Sequence, residues 1–262
     1  MEEAEPTPAK RRRRSFCSNC NRPSSVCLCD AIPTPAIRTR TQIIIIQHPH
    51  ECRHKLNTAH LIKKSIAGST SIISRHLAPD LHPLLSARPP LPTFYLFPHG
   101  SNSAATPLSS LKGNSIGEVS PRILIVFDAT WKHAKEMVRA SEGYLTKSAT
   151  RVYLDGFDSR IEGGNVWNSE LLLRKEPCQG CVTTLEAVAR WLGAVEEDGS
   201  RIEELLIKPL KKMVLLQSHH VIEIAFGMTK ILKSRLVRHL ELNKIMTDVQ
   251  FRSSIGLASS HT

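Results

Sequence analysis

The sequence Ile123-Leu-Ile-Val-Phe-Asp-Ala-Thr-Trp-Lys-His-Ala-Lys-Glu-Met137 decides the class of fold. Its first five residues are apolar and mostly β-branched, which predicts a buried strand over 123–127. A helical pattern begins near Thr130, with Trp131, Ala134 and Val138 on one face and Gly143 as the predicted end. Asp128 therefore lies at the carboxyl end of a strand where a helix starts, the edge at which open α/β sheets bind ligands. Two interpretations stay open at this point: a helix-capping Asp128 with a core Trp131, or a pocket that contains both.

The composition favours a single main domain that binds a polyanion. The chain has 262 residues, and a hydrophobic fraction of 41% is enough for a sizeable core, while few aromatic residues make that core aliphatic. A net charge of +11 points to nucleic acid first and to a membrane surface second. The apolar runs are too short to cross a bilayer.

The amino-terminal region predicts an intracellular protein. It is acidic at first and then basic over Lys10–Arg14, with no apolar signal-like run. Seven cysteines without a secretory signal indicate a reduced compartment, so we expect a nuclear or cytosolic location. We expect residues 1–14 to be a disordered basic tail. The basic run is a nuclear localisation signal, an RNA-contacting arm or a solvated tail.

Four cysteines within thirteen residues predict a structural zinc site. A CxxC pair is followed by a CxC pair, which supplies the four thiolates of a tetrahedral site: Cys17, Cys20, Cys27 and Cys29. A segment of this length has no apolar core of its own, so metal binding would supply its folding energy. The alternative is a set of unpaired surface cysteines, which is unusual at this density. We assign this zinc-binding segment to residues 15–35.

The apolar run Thr41–Gln47 predicts a second buried strand, followed by the polar turn His48-Pro49-His50-Glu51. A helix is predicted from Asn57 to Ala67, capped by Asn57 or Thr58 and stopped by Gly68. This strand, polar turn and helix repeat the layout around Asp128. His48 and Glu51 either line the same edge or are structural loop residues. Four histidines and one cysteine in this region also suggest a second metal site, but their spacing fits no familiar ligand set: His48, His50, Cys52, His54 and His60.

Shorter patterns complete the organisation of the chain. Strands are predicted over 93–97 and 151–154, and surface loops over 79–93 and 99–120. A helix is predicted from about Ile202 to Gln217, broken or kinked at Pro209. The predicted catalytic domain covers 36–218, and the basic tail 219–262 has mixed helical signal.

A third polar turn follows the apolar run Leu171–Leu173, at Arg174-Lys175-Glu176-Pro177. Cys178 and Cys181 then form a CxxC, either redox-active or metal-binding, in surroundings that lack other thioredoxin features. Thr183 and Glu186 match a capping box that opens a helix to Leu192. The alternation of strands and helices predicts an α/β fold with a mostly parallel sheet. Neither of the two common glycine-rich nucleotide-binding fingerprints is present.

These blocks together resemble the DTW-domain family of tRNA-uridine aminocarboxypropyltransferases. The resemblance rests on Asp128-Ala-Thr-Trp131 with its helix and on the amino-terminal cysteines. It also rests on His48-Pro49-His50-Glu51, Asn57-Thr58-Ala59, and the region from Arg174 to Ala187. The blocks occur in the family's order over residues 17 to about 217. The chain departs from the family pattern at His60, where an Arg is expected, and at Thr183, where Ser is usual.

The resemblance implies a SPOUT-like fold with a carboxyl-terminal knot and S-adenosylmethionine as the donor substrate. The implied reaction moves the 3-amino-3-carboxypropyl group to N3 of a tRNA uridine and releases methylthioadenosine. Asp128 would be the general base for the N3 proton. Trp131 would pack against the base or the donor, or shape the pocket wall.

The remaining candidates would bind the donor or the tRNA. Arg174 or Lys175 would pair with the donor carboxylate, and Glu176 or Glu186 with its ammonium group. The helix start at Thr183–Thr184 offers backbone N–H groups to the carboxylate. The alternatives to donor binding are structural: Glu186 would only cap its helix, and Arg174 would only form an ion pair at the surface. The full set of predicted binding residues is Thr130, His48, Glu51, Asn57, Thr58, Arg174, Lys175, Glu176, Thr184 and Glu186.

The sequence is also compatible with three rival functions. A SPOUT-type RNA methyltransferase would use the same donor and transfer a different carbon. A non-catalytic zinc-containing RNA-binding module would need neither Asp128 nor a donor. A CxxC redox protein would carry a reactive thiol at Cys178 or Cys181.

Overall fold

A computed structural model describes residues 15–54, 57–98, 104–111, 121–155 and 182–227. Six strands form one sheet in which every neighbouring pair is parallel, in the order β2-β1-β5-β3-β6-β4. The strands are β1 Thr41–Gln47, β2 Ser69–Ile73, β3 Thr93–Leu96, β4 Thr106–Pro107, β5 Arg122–Asp128 and β6 Thr150–Tyr153. The predicted α/β class with a mostly parallel sheet is confirmed.

Helices cover both faces of the sheet. They are α1 Ala59–Ser65, α2 Trp131–Ala140, α3 Glu142–Ser148, α4 Thr184–Val195 and α5 Gly199–Gly227. Alternate residues of the central strands enter two separate cores, since successive side chains of a strand point to opposite faces. Ile43 and Ile45 pack with α1, α4 and α5, whereas Ile44 and Ile46 pack with α2 and α3.

The central strands β1 and β5 are buried along almost their whole length. Their register aligns Gln47 with Asp128, so both strands end at the same level. The backbone N–H of His48 then donates to the carbonyl oxygen of Asp128 over 2.9 Å, which extends the ladder by one bond. The polar turns that follow β1 and β5 therefore start side by side.

The cysteine segment packs on the helical face that carries α4 and α5. Cys20 and Leu28 are fully buried in that core, and Arg22 Nη1 lies 3.5 Å from Met213 Sδ in α5. Lys212 of α5 also pairs with Asp30. The segment thus contributes to the main core of the sheet domain.

Several predicted boundaries are wrong. The helix predicted to run to Ala67 ends at Ser65, because Ile66 is extended and bridges Ile37. Gly143 does not end the helix of Trp131. That helix ends at Ala140, and Gly143 lies inside α3.

Other local differences concern loops and the last helix. The strand β2 was not predicted, and the loop 99–120 contains β4 and a 3-10 turn with buried Leu108 and Leu111. Pro209 lies within α5 without ending it. Residues 1–14, the turn at 174–176, Cys178, Cys181 and the tail beyond 227 lie outside the described residues. In the described part of the chain, no helix is both long and apolar enough to cross a membrane.

Candidate active site and metal centre

Asp128 is the centre of a buried hydrogen-bond network at the carboxyl end of β5. Its side chain is 5% exposed. Gln47 Nε2 and Asn57 Nδ2 each donate to Oδ2 over 2.8 Å. Thr184 Oγ1 donates to Oδ1 over 2.7 Å. The network therefore joins the end of β1, the approach to α1 and the start of α4 to a single carboxylate.

The two oxygens of Asp128 differ in their remaining capacity. A carboxylate accepts about two hydrogen bonds at each oxygen. Oδ2 has two donors and is saturated, whereas Oδ1 has one donor among the described residues. Oδ1 is thus the atom that retains an acceptor position for a ligand proton.

Thr130, and not Asp128, caps the helix that follows β5. Thr130 Oγ1 accepts from the backbone N–H of His133, and α2 begins at Trp131. The capping interpretation of Asp128 is therefore wrong, because its side chain turns to Gln47, Asn57 and Thr184 instead. Thr130 itself is exposed beside this site.

Trp131 is half-buried at the start of α2, next to an aromatic and cationic surface. Its ring centroid lies 6.2 Å from that of Phe97, and the guanidinium of Arg151 lies 5.2 Å from the Phe97 ring centroid. Phe97 and Arg151 also line a cavity of about 920 Å³, together with the exposed Lys135 and Arg139 of α2. This surface combines aromatic rings with positive charge.

The turn after β1 brings His48, Glu51 and Asn57 to the same edge. His48 is 3% exposed and Glu51 is 6% exposed. Asn57 Nδ2 donates to the carbonyl oxygen of Glu51 over 3.1 Å as well as to Asp128. The Glu51 carboxyl has no hydrogen-bond partner within the described part of the chain. It is therefore a buried acid available to a ligand.

The start of α4 is held by two threonines from different elements. Thr183 Oγ1 accepts from the Glu186 N–H, as the capping-box pattern predicts, and Thr58 Oγ1 accepts from the Leu185 N–H over 3.3 Å. Two of the helix-start N–H groups proposed for a donor carboxylate are thus already engaged. Glu186 is fully buried, and its Oε1 accepts from Arg190 Nη2 over 2.9 Å.

The four cysteines near the amino terminus converge on one point. Their sulfur atoms all lie within 4.8 Å of one another, with Cys17 and Cys29 at 3.4 Å and Cys20 and Cys27 at 3.6 Å. Tetrahedral zinc with bonds of about 2.3 Å would place its sulfurs about 3.8 Å apart. The donor set and the spacing both fit a metal ion.

The pKa values of two thiols in this cluster, Cys17 and Cys29, are shifted in opposite directions. Backbone N–H groups of Cys20 and Asn19 are the main cause that lowers the pKa of Cys17 to about 6. Contact with Cys17, together with burial, raises the pKa of Cys29 to about 12. Thiolates this close together repel one another, and a divalent metal would offset that repulsion.

Comparison with known families agrees with this architecture. The family model described as "DTW domain" matches residues 14–218, which contain the cysteine cluster, the Asp128 network and the sheet.

The chain belongs to the DTW-domain family.

Curated relatives support the same assignment. Over 222 residues the chain is 50% identical to the tRNA-uridine aminocarboxypropyltransferase A of Arabidopsis thaliana, covering 80% of this chain and 83% of that protein. It is 30% identical to the tRNA-uridine aminocarboxypropyltransferase 2 of Macaca fascicularis, covering 87% of this chain and 72% of the relative. The Drosophila melanogaster protein of the latter name is 26% identical, covering 78% of this chain and 76% of its own. No solved structure matches the chain.

The DTW-domain site also contains residues that sequence reasoning missed. Gln47 ends an apolar strand with a polar side chain, and that position was the available signal. His133 stacks on His48, with ring centroids 4.1 Å apart, and His50 meets both rings edge-on. No spacing rule links a turn after β1 to a helix more than eighty residues later, so the sequence carried no signal for this contact.

The binding roles of Arg174, Lys175 and Glu176 stay predictions, because these residues lie outside the part of the chain that the structure describes. His60, at the position where the family pattern has Arg, lies mostly inside the protein with Nε2 buried and without a partner in the described part. Burial and the nearby Arg22 lower the pKa of His60, which favours its neutral form.

Proposed function

We propose that this protein is a tRNA-uridine aminocarboxypropyltransferase. The observation that carries the proposal is 50% identity, over most of both chains, to a plant protein of that name. In the proposed reaction S-adenosylmethionine donates its 3-amino-3-carboxypropyl group to N3 of a tRNA uridine. The N3–C bond forms as the C–S bond breaks, and methylthioadenosine leaves with the bonding electron pair on sulfur.

In this mechanism Asp128 takes the N3 proton and later releases it to solvent. Oδ1 is the proposed acceptor, since Oδ2 is saturated by Gln47 and Asn57. The sulfonium activates the donor carbons, so the chief task of the protein is to place the uridine nitrogen against one of them. Three fixed donors restrain the carboxylate in one orientation, which supports such placement.

Glu51 is our preferred partner for the ammonium group of the donor. Glu51 is 6% exposed, and its backbone carbonyl accepts from Asn57, which also donates to Asp128; its carboxyl has no partner in the described part of the chain. The carboxylate of Glu186, by contrast, already pairs with Arg190. The donor carboxylate would pair with Arg174 or Lys175, as the family resemblance implies.

The surface beside Trp131 is the proposed contact for tRNA. Lys135 and Arg139 are exposed there, and Arg151 lies over Phe97. Positive side chains bind phosphates and aromatic rings stack on unpaired bases, which is how proteins recognise RNA loops. The net charge of +11 supports the same partner. The target uridine would leave its stack to reach Asp128.

The cysteine cluster is proposed to hold structural zinc. All four ligand positions would come from Cys17, Cys20, Cys27 and Cys29, which leaves no open position for catalysis. We further propose a SPOUT-like knot in the carboxyl-terminal part of the domain and a nuclear or cytosolic location. The family resemblance supports the knot, and the basic run Lys10–Arg14 supports the location.

The test is incubation of the full chain with S-adenosylmethionine and unmodified tRNA, followed by mass spectrometry of the nucleosides. We expect a uridine that carries the aminocarboxypropyl group, with methylthioadenosine as co-product. A methylated nucleoside with S-adenosylhomocysteine would replace this proposal by the methyltransferase alternative. An unmodified tRNA that still binds would support the non-catalytic RNA-binding alternative.

A further inference from the structure

The cavity beside Phe97 lies on the side of the sheet that α2 and α3 cover. Its volume of about 920 Å³ falls in the range of about 300–1,000 Å³ that is usual for ligand pockets. Its walls come from β3, β4 and β6 and from the two helices. Apolar side chains form part of this lining: Phe97, Val138, Leu145 and Ala149. The cavity therefore offers a flat, apolar group a place out of water.

Tyr95 adds one buried polar group to this lining. Its side chain is 9% exposed, and its hydroxyl has no hydrogen-bond partner in the part of the chain that the structure describes. Burial raises the pKa of Tyr95, while Arg151 lowers it and Glu142 raises it, so the hydroxyl lies within range of both charges. Buried hydroxyl groups usually have a partner. The Tyr95 hydroxyl is thus available to a polar group that enters the cavity.

The charge around the cavity is mainly positive. Lys135 and Arg139 are exposed one helical turn apart on α2, and the guanidinium of Arg151 lies 5.2 Å from the ring centroid of Phe97. Glu142 is the single acid among the described lining residues. Three cations against one acid favour an anion. A flat ring with a phosphate attached, which is a nucleotide, matches both the aromatic and the cationic parts of the lining.

The cavity and the Asp128 carboxylate lie on opposite faces of the sheet. Phe127 packs in the core on the α2 and α3 side, whereas Asp128 bonds to Thr184 at the start of α4, on the other side. A base in the cavity is therefore not the base whose proton Asp128 takes. The two places are nevertheless neighbours, since Phe97 follows β3 at the same edge of the sheet and its ring lies 6.2 Å from that of Trp131.

We propose that this cavity binds one unpaired nucleotide of the tRNA other than the target uridine. Its base stacks on Phe97 and bonds to the Tyr95 hydroxyl, and the surrounding cations hold its phosphate. The proposal deepens the proposed function and rests on tRNA as the substrate. A second nucleotide held in this way keeps the RNA loop open, so that the target uridine reaches Asp128.

The first test is ultraviolet crosslinking of the full chain to unmodified tRNA without donor, followed by mass spectrometry of the joined peptide and nucleotide. We expect a crosslink from Tyr95 or Phe97 to an unpaired nucleotide. That nucleotide should differ from the uridine that is modified once S-adenosylmethionine is added. A crosslink from these residues to the modified uridine alone overturns the proposal.

Dissociation constants for tRNA provide the second test. Phe97→Leu should bind tRNA about tenfold more weakly, as expected for the loss of one base-stacking contact. Tyr95→Phe should bind about two- to tenfold more weakly, as expected for the loss of one hydrogen bond. Two matched controls outside the cavity should bind like the wild type: the exposed Phe16→Leu, and Tyr144→Phe, whose hydroxyl donates to a backbone carbonyl.

The proposal is overturned if folded Phe97→Leu binds tRNA as tightly as Phe16→Leu does. Thermal melts identify a variant that fails to fold. If Phe97→Leu does not fold, Tyr95→Phe decides the question, because it removes only an oxygen without a partner.

Neither measurement uses the donor, so failure of this pocket and failure of the transfer reaction are distinguishable. Modified tRNA together with wild-type affinity in the Phe97 variant would retain the function and reject the pocket. Crosslinked but unmodified tRNA would support the pocket and reject the function.

Discussion

The Thr184 hydroxyl donates to Asp128 Oδ1 over 2.7 Å, although the two residues are 56 positions apart in the chain. This bond attaches the start of α4 to the end of β5, across the segment that contains the Arg174 turn. It also occupies one acceptor position of the oxygen that we assign to proton transfer. Thr184 therefore orients the proposed base and leaves it one free position.

Asp128→Asn should abolish turnover and spare tRNA binding. The variant loses the proton acceptor, an effect of about 10²–10⁴ in rate for a general base. Its amide NH₂ would also face at least one of the three donors, so a stability loss of about 1–3 kcal/mol is expected. Single-turnover kinetics and tRNA binding measure the two effects separately. The exposed Asp80→Asn is the control, and a fully active Asp128→Asn would remove Asp128 from the mechanism.

Thr184→Val should lower kcat about tenfold or more, while Thr184→Ser should restore most of it. A hydrogen bond to a charged group contributes about 1.5–3 kcal/mol, and about 1.4 kcal/mol is a factor of ten in rate. Valine preserves the shape and removes the hydroxyl, so the pair separates orientation of Asp128 from packing. Equal kcat for valine and serine would show that the bond has no catalytic role.

Removal of the metal from the cysteine cluster should destabilise the whole domain. Leu28 and Ile32 are buried against the core that contains α4 and α5. Loss of about 3 kcal/mol from these side chains would lower Tm by roughly 6–12 °C. Thermal melts with and without a strong chelator measure the change. Cys20→Ser should behave like the stripped protein and exposed Cys52→Ser like the wild type; an unchanged Tm after stripping would contradict the prediction.

Charge reversal on α2 should weaken tRNA binding without loss of stability. Lys135→Glu and Arg139→Glu each replace a cation that lines the basic cavity. Each lost phosphate contact should reduce the slope of log K against log salt by about 0.7–0.9. Lys211→Glu makes the same charge change at an exposed position of α5, on the other side of the sheet. Equal losses for all three variants would indicate a nonspecific charge effect.

Acidification should destabilise the fold partly through His60. Burial and Arg22, with Lys64, lower the pKa of His60 below 6.5, while the Asn57 carbonyl and Asp128 oppose the shift. Below about pH 6.5 the unfolded chain binds more protons at His60 than the folded chain does. The free energy of unfolding therefore decreases as the pH is lowered. Tm should therefore decrease less steeply between pH 7 and pH 5 in His60→Gln than in the wild type. Exposed His76→Gln should retain the wild-type slope, and an identical slope in His60→Gln would refute the assignment.

The buried strands and the cysteine cluster could be predicted because local patterns encode them. Continuous apolar runs define β1 and β5, and the CxxC and CxC turns bring four thiols together without help from the distant chain. Strand β2 was not predicted because Ser69-Thr70-Ser71 contains no apolar residue. As an edge strand it is only partly buried, so it does not need an apolar run. The predicted end of α1 is wrong because Ile66 is extended and bridges Ile37, a contact with a distant residue that the local pattern does not encode.

The sequence by itself determined the α/β class and the grouping of four cysteines, and it singled out Asp128 as the candidate base, since each of these depends on neighbours in the chain. Only the tertiary structure decided what surrounds Asp128. The parallel register of β1 and β5 brings Gln47 to its side, and packing of α1 and α4 adds Asn57 and Thr184. The β1–β5 register also brings the turn after β1 beside the start of α2, where His133 stacks on His48. Contacts of this kind arise from how separate elements meet, and residue spacing along one chain does not encode that geometry.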